Sequence, residues 1–249
     1  MSTFSNQPAT MFSDVIQIAG VQDAREAEVL LSTRIDLLGF PLRLDVHQED
    51  ASETEVRRII EKLGIRRQAT VITYLQTASD VLDLCDDAGA GNVQIHGEIG
   101  VEELARLRSS RPQLAIIKSL IVRDGRLDEL KALIRQYESF VDAFILDSFD
   151  EDSGASGATG KVHDWSVSCE LVKCSRRKVL LAGGLTPDNV GDAIRKVRPA
   201  GVDVHTGVEG EDGRKDPDRV QRFVDAARAA FASRAAEQRA DIPNEELNN

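Results

Sequence analysis

The stretch Lys178-Val-Leu-Leu-Ala-Gly-Gly-Leu-Thr-Pro-Asp-Asn-Val-Gly-Asp-Ala-Ile-Arg-Lys-Val197, followed shortly by Gly201-Val-Asp-Val204, sets the pattern of the whole chain. A short apolar run, Lys178–Ala182, ends on two glycines. An amphipathic stretch over Asp188–Val197 follows, with Thr186-Pro187 placing proline at the expected first helical position, and a second apolar run then begins. Continuous apolar runs, rather than alternating ones, are what parallel strands covered on both faces require.

Working outward, the same unit recurs. Val15–Ala19, Asp36–Phe40, Ala69–Leu75, Asn92–His96, Leu114–Lys118 and Ala143–Asp147 are apolar runs, each followed by a stretch of helical spacing. In Ser52–Leu63, Val56, Ile59, Ile60 and Leu63 recur at that spacing, and Ser52 with Glu55 forms a capping box. The last helical stretch is Asp218–Ala232. About eight strand–helix units in 249 residues predict a single (β/α)8 TIM barrel over residues 14–233; an open doubly wound sheet is the alternative. Residues 1–13 read as a flexible segment and 234–249 as a disordered polar tail.

Composition excludes several partner classes. With 31 Lys plus Arg against 42 Asp plus Glu, the net charge is −11, which argues against nucleic acid or an anionic membrane surface as partner. No apolar run approaches the ~20 residues that span a bilayer. Cys85, Cys169 and Cys174 form no CxxC pair and read as reduced thiols of a cytoplasmic protein. Asp45, His47 and Glu49 lie close together, but no HxxxH or CxxC spacing supports a metal site.

In such a barrel the chemistry lies at the carboxyl ends of the strands. There the sequence places Asp147, the Gly-rich run Ser153–Lys161 with Gly160, then Gly183-Gly184, then His205-Thr206-Gly207. Bare backbone amides at the last two loops predict a phosphate site. His96 and Lys118 end their runs and read as binders, Lys118 also as a Schiff-base lysine.

Several of these motifs resemble those of phosphoribosylanthranilate isomerases. Val93-Gln94-Ile95-His96-Gly97 is similar to VQLHG, and Gly157–Trp165 to GGTGKTFDW. Leu181–Val190 resembles LAGGLNPENV, and Val202–Glu209 resembles VDVSSGVE. The resemblance spans roughly residues 14–230. It implies a cofactor-free Amadori rearrangement of a phosphoribosyl-amine, with a small phosphorylated sugar as ligand and a monomer or homodimer as the molecule. On the matching positions it implies Asp147 as general acid, Gln94 and Asp203 as substrate-binding residues, and Gly160, Gly183, Gly184, Thr206 and Gly207 as phosphate-binding residues. Two stretches depart from the pattern. The family's Lys-Ile-Cys-Gly, whose Cys is the general base, is Gln17-Ile18-Ala19-Gly20 here, and Ala19 carries no titratable group. The family's Arg after the second strand finds only Arg43, in a different register. A replacement base is expected in the alternating Asp45, His47, Glu49, with His47 first because imidazole titrates near neutral pH. A sugar-phosphate isomerase, epimerase or lyase with another substrate, and a silent phosphosugar-binding protein, remain the alternatives.

Overall fold

A computed structural model describes residues 12–44, 49–123, 125–148 and 164–240. Eight parallel strands close into a barrel in chain order: β1 (Val15–Ala19), β2 (Leu37–Pro41), β3 (Ala69–Thr73), β4 (Asn92–Ile95), β5 (Ala115–Val122), β6 (Ala143–Ser148), β7 (Lys178–Leu181) and β8 (Gly201–Val204). Eight α-helices alternate with them: α1 (Ala24–Ser32), α2 (Glu53–Leu63), α3 (Ala78–Ala88), α4 (Val101–Ser110), α5 (Leu127–Tyr137), α6 (Trp165–Cys174), α7 (Val190–Val197) and α8 (Pro217–Ala240). This is the (β/α)8 barrel that the alternating pattern predicts, not the open sheet.

The strands are nearly free of exposed residues because each is buried twice. One set of side chains, including Val15, Leu37, Ile117, Ile145 and Leu180, fills the barrel interior together with Phe12, which is 1% exposed. The other set packs beneath the helices in a larger layer. Caps stop the helices where the sequence signals them. Ser52 accepts the Glu55 amide at 3.3 Å, and α2 ends at Gly64 in the left-handed region, φ 65°.

Three boundaries differ from the sequence expectation. α7 starts at Val190 rather than at Pro187. The Asn189 side chain accepts the Thr186 amide (2.8 Å) and donates to the Gly184 carbonyl (2.9 Å), tying 184–189 into a turn before the helix. β5 runs on past Lys118 to Val122. α8 continues to Ala240, beyond position 233, where the apolar pattern fades. The segment 1–11 and the stretch 241–249 lie outside the described residues. Among the described residues no helix is long and apolar enough to cross a membrane.

Candidate active site

Strand alternation selects what faces the barrel mouth. On β1, Gln17 and Ala19 follow Val15 on the inner face; on β8, Asp203 shares it; on β4, Gln94; on β6, Asp147 follows Ile145. These polar groups make one connected layer. The Gln17 amide donates to Gln94 Oε1 (2.9 Å) and Asp203 Oδ1 (3.0 Å). Gln94 donates to Ser119 Oγ (3.3 Å), which also meets His96 Nδ1 at 3.0 Å. The His96 ring stands edge-on to Tyr74, centroids 5.1 Å apart.

Two carboxyls sit in this layer almost without solvent. Asp147 is 6% and Asp203 8% exposed. Burial raises the Asp147 carboxyl above its ordinary range, against the opposing pull of His96 and of the Ser148 amide bonded to Oδ1 at 2.7 Å. Burial, and then the charge of Asp147, push Asp203 up to about 7. In both groups burial thus favours the protonated form more than it would in an exposed Asp.

Beside them is a rim of bare backbone. Asp147, Asp203, Gly183, Gly184, Thr206 and Gly207 line one cleft between the ends of β7 and β8. The glycines are required there. Gly183 has φ +82°, and a Cβ on it would lie 2.0 Å from Ser148 Oγ; a Cβ on Gly207 would lie 1.9 Å from the Leu185 carbonyl oxygen. Among the described residues the Gly183 and Gly184 amides take no main-chain partner. Amides presented this way suit an anion.

The other anticipated residues scatter. Lys118 lies on the opposite face of β5 from Ser119, between Ile116 and Leu120 on the helix side. It is buried, its amine donates to the Ser119 carbonyl (2.7 Å), and burial lowers it to about 8 against the opposing charge of Glu98. A cavity of about 660 Å³ beside β4 and β5 holds it, together with Glu98, Arg123 and Tyr137. Strand alternation thus takes Lys118 away from the mouth for which the sequence reading placed it. Arg43 is also drawn outward: its guanidinium bonds Glu53 (2.8 and 2.9 Å) and Asp87 (3.1 Å) on α2 and α3. Asp45, His47 and Gly160 lie outside the described residues, and Glu49 is exposed, accepting the Arg43 amide at 2.6 Å.

Three participants were not singled out from sequence. Gln17 organises the buried layer. His205, which the sequence placed only within a glycine loop, has Nε2 3.5 Å from Asp50 Oδ1 and 3.4 Å from Glu209 Oε1. Lys215, its side chain 1% exposed, holds Glu209 at 2.5 Å. The signal that finds His205 is the two-residue step from Asp203.

Comparison with known proteins follows the same lines. Residues 25–226 match the family model described as N-(5'-phosphoribosyl)anthranilate isomerase. An N-(5'-phosphoribosyl)anthranilate isomerase 2 of Methanosarcina mazei is 34% identical over 218 residues, covering 87% of this chain and 95% of its own. Among solved structures, the monomeric variants of the dimeric phosphoribosylanthranilate isomerase of Thermotoga maritima superpose with TM-score 0.72 at 25% identity, over 86% of this chain and 98% of theirs. A phosphoribosyl anthranilate isomerase in complex with reduced 1-(o-carboxyphenylamino)-1-deoxyribulose 5-phosphate has TM-score 0.71 at 26% identity, with the same coverage.

Proposed function

The chain belongs to the N-(5'-phosphoribosyl)anthranilate isomerase family, and from that membership we infer how its barrel mouth performs the isomerisation. The protein is an isomerase of tryptophan biosynthesis. The reaction opens the ribose ring of a phosphoribosyl-amine and moves unsaturation from C1 to C2. It needs an anchor for the phosphate, an acid for the ring oxygen and a base for the C2 proton.

The anchor is the rim of Gly183, Gly184, Thr206 and Gly207, with Gly160 as a further contributor. A phosphate dianion there is held by main-chain dipoles, which cost no side-chain ordering. The acid is Asp147. Burial favours the protonated form of its carboxyl, and the proton is delivered to an oxygen in the same dry space. Asp203, Gln94 and His96 hold the amine and sugar hydroxyls, with Gln17 fixing the first two. The observation that carries this reading is the pair of buried carboxyls directly beside a glycine rim at one end of the barrel. The molecule is taken as cytoplasmic and as a monomer or homodimer, the dimeric Thermotoga maritima relative supporting the latter.

The test is turnover of N-(5'-phosphoribosyl)anthranilate followed by fluorescence, backed by growth of a tryptophan auxotroph. Asp147→Asn is expected to lower kcat by about 10²–10⁴-fold, the usual worth of one general acid, with binding of the reduced product analogue kept. Undiminished kcat in that variant would remove Asp147 from the mechanism. A soluble wild-type protein that neither turns over the substrate nor supports growth would leave the other sugar-phosphate and silent-binder readings.

A further inference from the structure

We infer that His205 is the group that takes the C2 proton in this chain, supplied from β8 because β1 offers none. The inference rests on the isomerase reading above and adds the residue that reading leaves unassigned. In the β1–β8 register Gln17 pairs with Asp203 and Ile18 with Val204. The residues that follow this last pair on the two chains are Ala19 and His205, and His205 lines the same cleft as Asp147 and Asp203. Ala19 has a methyl group only. Gly20 has no side chain, and a Cβ on it would lie 2.0 Å from His205 Nε2. The imidazole therefore lies across the carboxyl end of β1, over the ground that Ala19 and Gly20 leave open.

The ring is held for a task. Nε2 faces the carboxylates of Asp50, from the loop after β2, and Glu209, after β8. Lys215 secures Glu209 and reaches the His205 carbonyl oxygen at 3.3 Å. Carboxylates on both sides hold the proton on Nε2 and leave the lone pair on Nδ1. The other titratable groups near His205 are Asp147 on β6 and Asp203 on β8; β1 contributes none. Among the described residues, Asp203 is committed to the Gln17 amide and His96 to Ser119 and Tyr74.

The proton ledger closes. Asp147 gives its proton to the ring oxygen, and the C1–O bond breaks to an open-chain iminium. The C2–H bond then breaks, its proton passing to Nδ1 of His205. Its electron pair becomes the C1=C2 bond while the C1=N pair returns to nitrogen. The imidazolium gives the proton to C1 as C2–OH becomes C2=O, and the hydroxyl proton so released restores Asp147.

The test compares wild type, His205→Ala and His205→Ala with Ala19→Cys. His205→Ala is expected to lose about 10²–10³-fold in kcat with KM nearly unchanged, and to show a larger isotope effect with substrate deuterated at C2. Retained affinity for the reduced product analogue shows the variant is folded. Adding the thiol at position 19 is expected to restore part of kcat, with a new limb near ~8.5, where a free thiol ionises. An active wild type whose His205→Ala variant keeps both kcat and the isotope effect overturns this inference alone. So does loss of turnover in His47→Ala with His205→Ala unaffected. A wild type inactive on the substrate overturns the isomerase reading, and this inference with it.

Discussion

Asp203 shows what one residue costs the fold in order to be useful. Its carboxyl is buried beside a second one, and the Gln17 amide compensates only in part. The folded state keeps the proton up to about 7, whereas an unfolded Asp releases it near ~3.9. Between those values the folded state binds more protons than the unfolded one. Stability is therefore greatest below about pH 4 and falls as pH rises through 7, by roughly 4 kcal/mol for this group at about 1.4 kcal/mol per pKa unit. Asp203→Asn keeps an acceptor for Gln17 and removes the charge. In urea titrations its stability is expected to exceed that of wild type at pH 8, the excess shrinking toward pH 5, while turnover falls. Equal pH dependence of the two proteins would mean that Asp203 is ionised in the folded state at little cost.

At the scale of the element, the loop after β7 is built around a conformation that a side chain would break. Gly183→Ala must place a Cβ against Ser148 in a left-handed backbone. It is expected to raise KM for the phosphorylated substrate about 10–100-fold, equivalent to one charge-assisted hydrogen bond of roughly 1.5–3 kcal/mol. Gly64, also at positive φ but with open space around it and far in sequence from the rim, is the control: Gly64→Ala is expected to cost about 1 kcal/mol of stability and leave KM alone. A KM unmoved in Gly183→Ala would take that loop out of phosphate binding. The same element shows what the sequence made legible. The alternation of apolar runs and amphipathic stretches was readable because both faces of each strand are buried, and the glycine loops because bare backbone is a property of composition. Side-chain direction was not. Lys118 ends an apolar run in the sequence yet sits mid-strand on the helix side. Arg43 finds acids on α2 and α3 before any ligand, and His205 becomes visible only when β1 and β8 are laid in register.

At the scale of the whole molecule, a barrel must be closed where its chain ends meet, and here β1 pairs with β8 to close it. The last helix holds that seam. From α8, Arg228 donates to the carbonyl oxygens of Asp14 (2.5 Å) and Arg34 (2.7 Å) and to the Asp36 carboxylate (2.6 Å), which in turn accepts the Ile16 amide of β1 at 2.7 Å. Arg234 adds bonds to the Asp14 carboxylate and the Pro199 carbonyl, on either side of the seam. A guanidinium satisfied by main-chain acceptors from two segments and by a carboxylate leaves several partners unpaired when removed. Arg228→Met keeps the aliphatic stem and is expected to cost about 2–3 kcal/mol, seen as a fall of roughly 4–12 °C in Tm for a chain of this size. Arg222, on the same helix, meets Asp188 at 3.7 Å, with both side chains mostly exposed; Arg222→Met is expected to shift Tm by no more than a degree or two. If the two variants melt together, main-chain pairing closes the barrel unaided and α8 merely covers it; if Arg228→Met melts far earlier, the seam depends on the last helix, and so does the alignment of β1 with β8 that brings His205 to the carboxyl end of β1.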